Sequence, residues 1–157
     1  SSIYAADETS IRLNPSGGKC VAKRGVKEVS VLTTGHDKLR VTVMLTGRSD
    51  GHKLKPFVLL PRKREDKSIN KEFGSKLNLC WKGSTWMDNG ITKDYLRRTF
   101  GQAIFSKRLL VWDSFRCHIS DSTKELLRKL KLDTAVVPGG CTKFIPARCV
   151  LEWNFQG

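Results

Sequence analysis

The sequence predicts an α/β fold with one mixed sheet, in which antiparallel strands come first and strands alternating with helices follow. Three observations support this order. An early apolar segment alternates with a period of two, a later segment repeats with helical spacing, and two further apolar runs are short and continuous. The chain of 157 residues is long enough for one domain with a real core and too short for two large ones.

The first strands read as an antiparallel meander. Residues 3–6 form a short apolar segment, and residues 39–46 alternate apolar with polar side chains. Asp50-Gly51 is a hairpin signal, which makes residues 56–60 the returning strand. The sequence therefore predicts three or more antiparallel strands before any helix.

The pattern then changes from strands alone to helices and strands in alternation. Residues 62–84 are polar, and the charge run at their start predicts a solvated loop. Residues 92–104 have the apolar spacing of an amphipathic helix, and residues 109–112 form a continuous apolar run typical of a strand buried on both faces. Residues 122–125 have capping-box spacing and open a second helix. Residues 134–137 then form another buried strand.

The composition points to a polyanionic partner. Lys and Arg number 29 against 15 Asp and Glu, which gives a net charge of +14 and a pI near 9.9. Clustered Lys and Arg neutralise phosphates, so nucleic acid is the simplest partner. The candidate phosphate contacts are Lys23, Arg24, Lys27, Arg62, Lys63 and Arg64.

Cysteine usage and the start of the chain further bound the class of protein. Five scattered cysteines without a Cys-x-x-Cys pair favour reduced thiols over a disulfide framework or a structural zinc site. No apolar run approaches the ~18 residues of a membrane span. The first residues lack the basic and apolar regions of a signal peptide, and the chain opens directly on a strand, which predicts a fragment of a longer protein.

Two carboxylates stand where strands are predicted to end. Asp7 follows the first strand, and Asp113 follows the run 109–112. Ligands of α/β sheets gather outside strand ends, so neighbouring strands would bring these carboxylates face to face. Such a pair repels, and Mg²⁺ relieves the repulsion by binding carboxylates together with waters and phosphate oxygens. Each Asp alone is more typical of a turn or a cap. The combination with the +14 charge and an element order of the ribonuclease-H-like kind favours a metal site.

Several short motifs occur in an order that resembles the pogo/Tigger-type transposase domains. They extend over nearly the whole chain and are Ala6-Asp7-Glu8-Thr9, Asp50-Gly51 followed by Lys55-Pro56, Trp86-Met87, residues 109–118 (LLVWDSFRCH) and residues 137–143 (VPGGCTK). On these motifs the chain resembles the DDE superfamily of endonucleases, which includes centromere protein B and jerky-like proteins.

The resemblance implies a nuclear, DNA-acting domain with a ribonuclease-H-like fold. It makes Asp7 and Asp113 the first two catalytic and metal-binding acids, with Mg²⁺ or Mn²⁺ as cofactor if the domain is active. In the family, water cleaves a DNA phosphodiester and the freed 3′-hydroxyl attacks target DNA. His118 is an auxiliary candidate that would contact the scissile phosphate, although a helix-entry role explains it equally well. DNA is the implied partner, and homo-oligomers and chromatin proteins stay open.

The last motif departs from the family pattern. An ungapped alignment puts Cys149 where the family has its third acid, and a thiolate is a soft ligand that suits Mg²⁺ poorly. A one-base shift in the codons for residues 146–150 can read Gln-Pro-Asp-Val, so we hypothesise a frameshift. The predicted division is a DDE endonuclease-like domain over residues 1–145 and a divergent tail over residues 146–157, with the C-terminal catalytic helix lost. Glu152 is the auxiliary acid that would have to replace the missing one.

Two further functions stay open at this stage. Without a third acid, the domain would serve as a catalytically inactive, domesticated DNA-binding or interaction scaffold, so the sequence leaves open whether the chain is an enzyme. A basic RNA-binding or ribosomal protein is the other alternative, and it predicts no divalent ion near Asp7 and no adjacency between the strands that carry Asp7 and Asp113.

Single residues carry further expectations. Glu8 should point to the opposite sheet face from Asp7 by strand alternation, which favours a structural role. Trp81, in the polar region, is the aromatic residue expected to stack on bases, whereas Trp86 and Trp112 are expected in the core.

Overall fold

The computed structural model describes residues 2–12, 40–101 and 107–139. Within these ranges a six-stranded sheet has the order β4-β3-β2-β1-β5-β6. The elements are β1 (Ser2–Arg12), β2 (Arg40–Arg48), β3 (Phe57–Leu60), α1 (Lys67–Phe73), β4 (Asn78–Trp81), α2 (Asn89–Phe100), β5 (Arg108–Asp113), α3 (Asp121–Lys129) and β6 (Leu132–Val137).

The strand directions confirm the predicted ribonuclease-H-like α/β fold. Strand β2 is antiparallel to both β1 and β3, and this gives the meander. The other neighbouring pairs are parallel, namely β1 with β5, β5 with β6 and β3 with β4. Parallel neighbours need a crossover connection, and α1 supplies the helix between β3 and β4 while α3 supplies the helix between β5 and β6.

Among the described residues the core has two clusters, one on each face of the sheet. The larger contains Tyr95 and Leu96 of α2, Leu127 of α3, and inward residues of the sheet such as Leu110 and Trp112. The smaller cluster, on the face covered by α1, is built from Val41, Val43, Val58 and Leu79, with Ile69 packed against it. The two faces follow strand alternation, because successive residues of a strand point to opposite sides.

Arg108 is a buried cation that joins the ends of both long helices. Its Nη1 donates to the Phe100 carbonyl oxygen at 2.6 Å, and its Nη2 donates to the Leu130 carbonyl oxygen at 2.5 Å and the Gly101 carbonyl oxygen at 3.3 Å. The last carbonyls of a helix have no partner within the helix and carry partial negative charge. A guanidinium at this point satisfies the carbonyl ends of α2 and α3 together.

Residues 62–66 form the predicted solvated loop, but the rest of the region to residue 84 is not irregular, because α1 and β4 lie within it. Asp66 caps α1 by accepting hydrogen bonds from the backbone N–H groups of Ser68 and Ile69. Strand β4 extends the sheet beyond β3, and Arg98 Nη1 donates to the Leu79 carbonyl oxygen at 2.8 Å. Four residues are too few to show a period, so the sequence pattern did not reveal β4.

Both later helices begin before their predicted starts. Helix α2 starts at Asn89 instead of residue 92, because Asp88 caps it through Ile91 N at 2.8 Å. Helix α3 is capped by Ser120, whose Oγ accepts from Thr123 N, rather than from within the predicted capping box at residues 122–125.

The two later strands are confirmed in place but not in burial. Strand β5 alternates buried with half-buried residues and is not buried on both faces. Strand β6 has four exposed residues out of six, so the prediction of a buried strand there is wrong. It is the last strand of the sheet within the described ranges, and an end strand packs against a single neighbour.

A buried hydroxyl pair connects the sheet to α2. Thr46 Oγ1 and Tyr95 Oη share a hydrogen bond of 2.7 Å, and burial raises the pKa of the Tyr95 phenol well above its usual range. Removing one member leaves the other unsatisfied. We therefore expect Tyr95→Phe to lower the free energy of unfolding by about 1–2 kcal/mol, as measured by urea denaturation.

The matched control for this pair is the double variant Tyr95→Phe with Thr46→Val. It removes both polar groups, so we expect it to recover part of the loss. A double variant that loses the sum of two independent single effects would contradict a buried hydrogen bond between these side chains.

Candidate functional site

Asp7 and Asp113 lie level with each other on neighbouring parallel strands. The paired residues of β1 and β5 run from Ser2↔Arg108 to Ala5↔Val111. Each Asp lies two positions beyond the last of these pairs, so both share the face of Ala5 and Val111. Neighbouring strands are about 4.8 Å apart. The topology therefore brings together two acids that are separated by about a hundred residues in the sequence.

The prediction that Asp7 ends its strand is wrong. Strand β1 continues to Arg12, because β2 pairs with it as far as Arg12↔Arg40. Asp7 instead lies where the pairing with β5 ends, opposite Leu45 of β2. Its Oδ1 accepts a hydrogen bond from the backbone N–H of Glu8 at 3.0 Å.

His118 holds the carboxylate of Asp113. Its Nδ1 lies 2.7 Å from Asp113 Oδ1, which also accepts the backbone N–H of Phe115 at 3.3 Å. The imidazole is only 3% exposed and lies flat on Trp112, with ring centroids 4.2 Å apart and planes within 5°. Packing thus fixes the ring, and the ring fixes the carboxylate. This position does not fit the predicted contact of His118 with a scissile phosphate in solvent.

The contact between His118 and Asp113 shifts the pKa of each side chain so that its charged form is favoured. Burial lowers the pKa of His118, but the hydrogen bonds to Asp113 and Cys117 outweigh it and raise that pKa to about 9. The hydrogen bond from His118 lowers the pKa of Asp113 below its ordinary value. Asp113 is therefore held as a carboxylate at neutral pH.

Glu8 takes part in the electrostatics of this cluster although it points to the other face. It pairs with Met44, a residue of the larger core cluster. Burial raises the pKa of Glu8, His118 lowers it, and the charges of Asp113 and Asp7 raise it further. Sequence reasoning treated Glu8 as structural, and only the position of His118 after folding reveals this coupling.

The chemistry of the donors fits a hard divalent cation, although the described residues do not complete a site for it. Phe115 N and His118 Nδ1 both form hydrogen bonds with Oδ1 of Asp113. The other carboxylate oxygen, Oδ2, accepts none from the part of the chain that the structure describes. Carboxylate oxygens on adjacent strands are ligands that Mg²⁺ and Mn²⁺ accept, with water and phosphate oxygens filling the remaining positions. Within residues 2–12, 40–101 and 107–139, no group of three or more His, Cys, Asp or Glu side chains is arranged to hold a metal ion.

The basic candidates Arg62, Lys63 and Arg64 do not lie beside the acid pair. They are exposed and follow the C-terminal end of β3, two strands away from β1. Arg62 is also paired with Asp66 at 3.3 Å. These positions leave them as surface cations at a distance from Asp7 and Asp113.

The expectations for two tryptophans are reversed by the structure. Trp81, expected to stack on bases, is half-buried and packs against the smaller core cluster. Trp86, expected in the core, is 63% exposed, and the Arg40 guanidinium lies 4.1 Å from its ring centroid. Trp112 is in the core as predicted.

The remaining sequence candidates lie outside the described residues. These are Lys23, Arg24, Lys27, Cys149 and Glu152, and with them the division between residues 1–145 and 146–157 and the C-terminal catalytic helix. They stay predictions.

Comparison with known families assigns the chain. The profile of the DDE superfamily endonucleases matches residues 38–147, more than half of the sequence. The chain belongs to this family. The match in this DDE-family chain includes Asp113 and His118 and begins after Asp7.

Two relatives of this DDE-family chain are named as pogo transposable elements with a KRAB domain. The proteins from Mus musculus and Homo sapiens are each 33% identical over 141 residues. The alignments cover 87% of this chain and 23% of each relative, so the chain spans about a quarter of their length.

Solved structures of Mos1 transposase are also similar to this DDE-family chain. The paired-end complex with the left transposon end matches 84% of this chain and 34% of its own chain, with a TM-score of 0.46 and 11% identity. The mariner paired-end complex with Mn has a TM-score of 0.45 at the same coverage and identity.

None of the helices in the described part of the chain is long and apolar enough to cross a membrane.

Proposed function

We propose that this chain is the DNA-strand-cleaving domain of a transposase-type DDE endonuclease. The observation that carries the proposal is the register of β1 and β5, which brings Asp7 and Asp113 level in a chain of this family. The net charge of +14 supports DNA as the substrate, because phosphate contacts dominate the affinity for nucleic acids. A nuclear location follows from that substrate, and the partner we propose is DNA.

Asp7 and Asp113 are the residues proposed to hold Mg²⁺ or Mn²⁺. A bound divalent ion of this kind would activate water and stabilise the leaving oxygen of a phosphodiester. Asp113 contributes a carboxylate that is already ionised and oriented by His118. Asp7 contributes a second carboxylate from a strand that is paired with β2 at this level and with β5 as far as Ala5. His118 acts as a positioning residue, since its buried ring holds Asp113 and does not reach solvent.

A second candidate function rests on Cys149, which the sequence puts in the place of the family's third acid. A thiol there would leave the hard cation with two protein carboxylates, and Mg²⁺ bound so weakly would cut slowly or not at all. The domain would then be a domesticated nuclear scaffold that binds DNA without cutting it. Homo-oligomers and chromatin proteins are partners to look for in that case.

Nicking of supercoiled plasmid with Mg²⁺ or Mn²⁺ tests the enzyme. We expect Asp113→Asn and Asp7→Asn each to lower the nicking rate by about 100-fold or more. Loss of a residue that only supports a metal ligand already costs up to about 100-fold, and these two residues are proposed to bind the metal directly. Asp133→Asn is the matched control, because Asp133 is exposed on the adjacent strand β6. We expect this control to nick at the wild-type rate.

The variant Cys149→Asp separates the two candidates. DNA binding without nicking in the wild-type chain, together with nicking restored by Cys149→Asp, would favour the scaffold. Nicking by the wild-type chain that survives Asp113→Asn would contradict the role proposed for the acid pair.

A further inference from the structure

A basic cleft lies on the sheet beside the proposed acid pair. It has a volume of about 520 Å³, and Leu45 of β2 and Pro56, just before β3, contribute to its wall. Three lysines line it, namely Lys53, Lys55 and Lys76, and no lining residue is acidic. We refer to this feature as the lysine cleft. None of these lysines belongs to the set that the sequence proposed as phosphate contacts.

The register connects the lysine cleft directly to Asp7. Leu45 is the Cα partner of Asp7 across the β1–β2 pair, so the two residues share one face of the sheet. Pro56 precedes Phe57, which pairs with Met44, and it therefore lies one further strand away at the same level. Two strand spacings amount to about 10 Å. One DNA strand that leaves the acid pair would cross this distance within a few nucleotides.

The three lysines are all exposed to solvent. Lys55 Nζ also donates to the Gly74 carbonyl oxygen at 2.7 Å, which ties the cleft wall to the end of α1. The cleft therefore presents three positive charges and no negative one among its lining residues. A nucleic-acid backbone, with one negative charge per nucleotide, is complementary to this charge.

We propose that the lysine cleft binds the phosphodiester backbone of the DNA strand that extends away from Asp7 and Asp113. This proposal rests on the proposed function, because it assumes that the DNA strand starts from a cleavage site at the acid pair. An acidic peptide would also meet the charge of the cleft. The position of the cleft, one strand from Asp7 on the same face, favours the nucleic acid.

DNA binding without divalent ions tests the cleft separately from cleavage. Fluorescence anisotropy of a labelled duplex, in EDTA and over a range of salt concentrations, gives the slope of log affinity against log salt. We expect the double variant Lys53→Gln with Lys76→Gln to reduce that slope by about 1.8, because each phosphate contact contributes about 0.9.

The matched control is Lys107→Gln with Lys131→Gln. It removes the same two charges, from exposed residues next to the N-terminal ends of β5 and β6, at the opposite end of the strand from Asp113. We expect it to leave the slope within about 0.5 of the wild-type value. If both double variants lowered the salt slope equally, the effect would come from the total charge of the protein and not from the lysine cleft. That result would overturn the proposal.

Protection of wild-type lysines gives a second readout that does not depend on a variant folding. We expect bound DNA to protect Lys53 and Lys76 from acetylation, and Lys107 and Lys131 to stay reactive. Protection of Lys53 and Lys76 by a poly-glutamate peptide but not by DNA would overturn the proposal in favour of an acidic protein partner. Nicking that fails while this protection holds would refute the enzyme and leave the cleft intact.

Discussion

Replacing Arg108 by methionine is expected to lower the free energy of unfolding by about 3 kcal/mol or more. The substitution removes the donors that satisfy the Phe100 and Leu130 carbonyl oxygens at the ends of α2 and α3. Each carbonyl left buried without a partner costs about 1–3 kcal/mol, and the aliphatic methionine restores none of them. Urea denaturation followed by circular dichroism measures the change.

Two comparisons make the Arg108 prediction specific. Lys107→Met changes the adjacent exposed cation and should alter stability by about 0.5 kcal/mol or less. Arg108→Lys keeps the charge but not the fork of donors, so we expect a loss between those of the other two variants. A change below about 1 kcal/mol in Arg108→Met would contradict the role of the guanidinium as a joint between the two helix ends.

Replacing Trp112 by alanine should cost about 4 kcal/mol and also disturb Asp113. The indole is 2% exposed, and its removal leaves a large cavity in the main core cluster. It also removes the surface on which the His118 ring lies, so His118 would no longer hold Asp113 in one orientation. Denaturation measures the first effect. Loss of the His118–Asp113 contact appears as a fall in the His118 pKa, followed by NMR titration of the imidazole.

The control variants for Trp112 separate packing from chemistry. Trp112→Phe keeps a ring under His118 and removes an indole Nε1 that has no hydrogen-bond partner, so it should cost much less than alanine. Trp86→Ala removes an exposed indole and the cation–π contact with Arg40, and it should cost at most about 1 kcal/mol. Similar losses in Trp112→Ala and Trp86→Ala would contradict the assignment of Trp112 to the core.

Most of the sheet follows from the sequence because its strands show clear patterns. The alternation around Val41 and Val43 predicted β2, and the apolar run before Asp113 predicted β5. The elements that were missed are short. Strand β4 is four residues long and α1 is seven, and their stability comes from packing against β3 and the smaller core cluster, which no local pattern records.

The candidate site was predictable in its acids but not in its supports. Asp7 and Asp113 could be selected because each follows an apolar run that predicts a strand. The stacking of His118 on Trp112 depends on the turn after β5, and the lysine cleft depends on the connection between β2 and β3 meeting the end of α1. Such contacts arise between segments distant in sequence. Spacing alone therefore cannot identify them.

The two acids are anchored in different ways, and the difference decides which of them is sensitive to core packing. Asp7 lies inside a strand whose hydrogen-bonded pairs with β2 continue for five residues beyond it, as far as Arg12. Asp113 is the last residue of β5, and its carboxylate is oriented by the buried ring of His118. A substitution in the core beneath His118 would therefore displace the carboxylate of Asp113 and leave Asp7 in place.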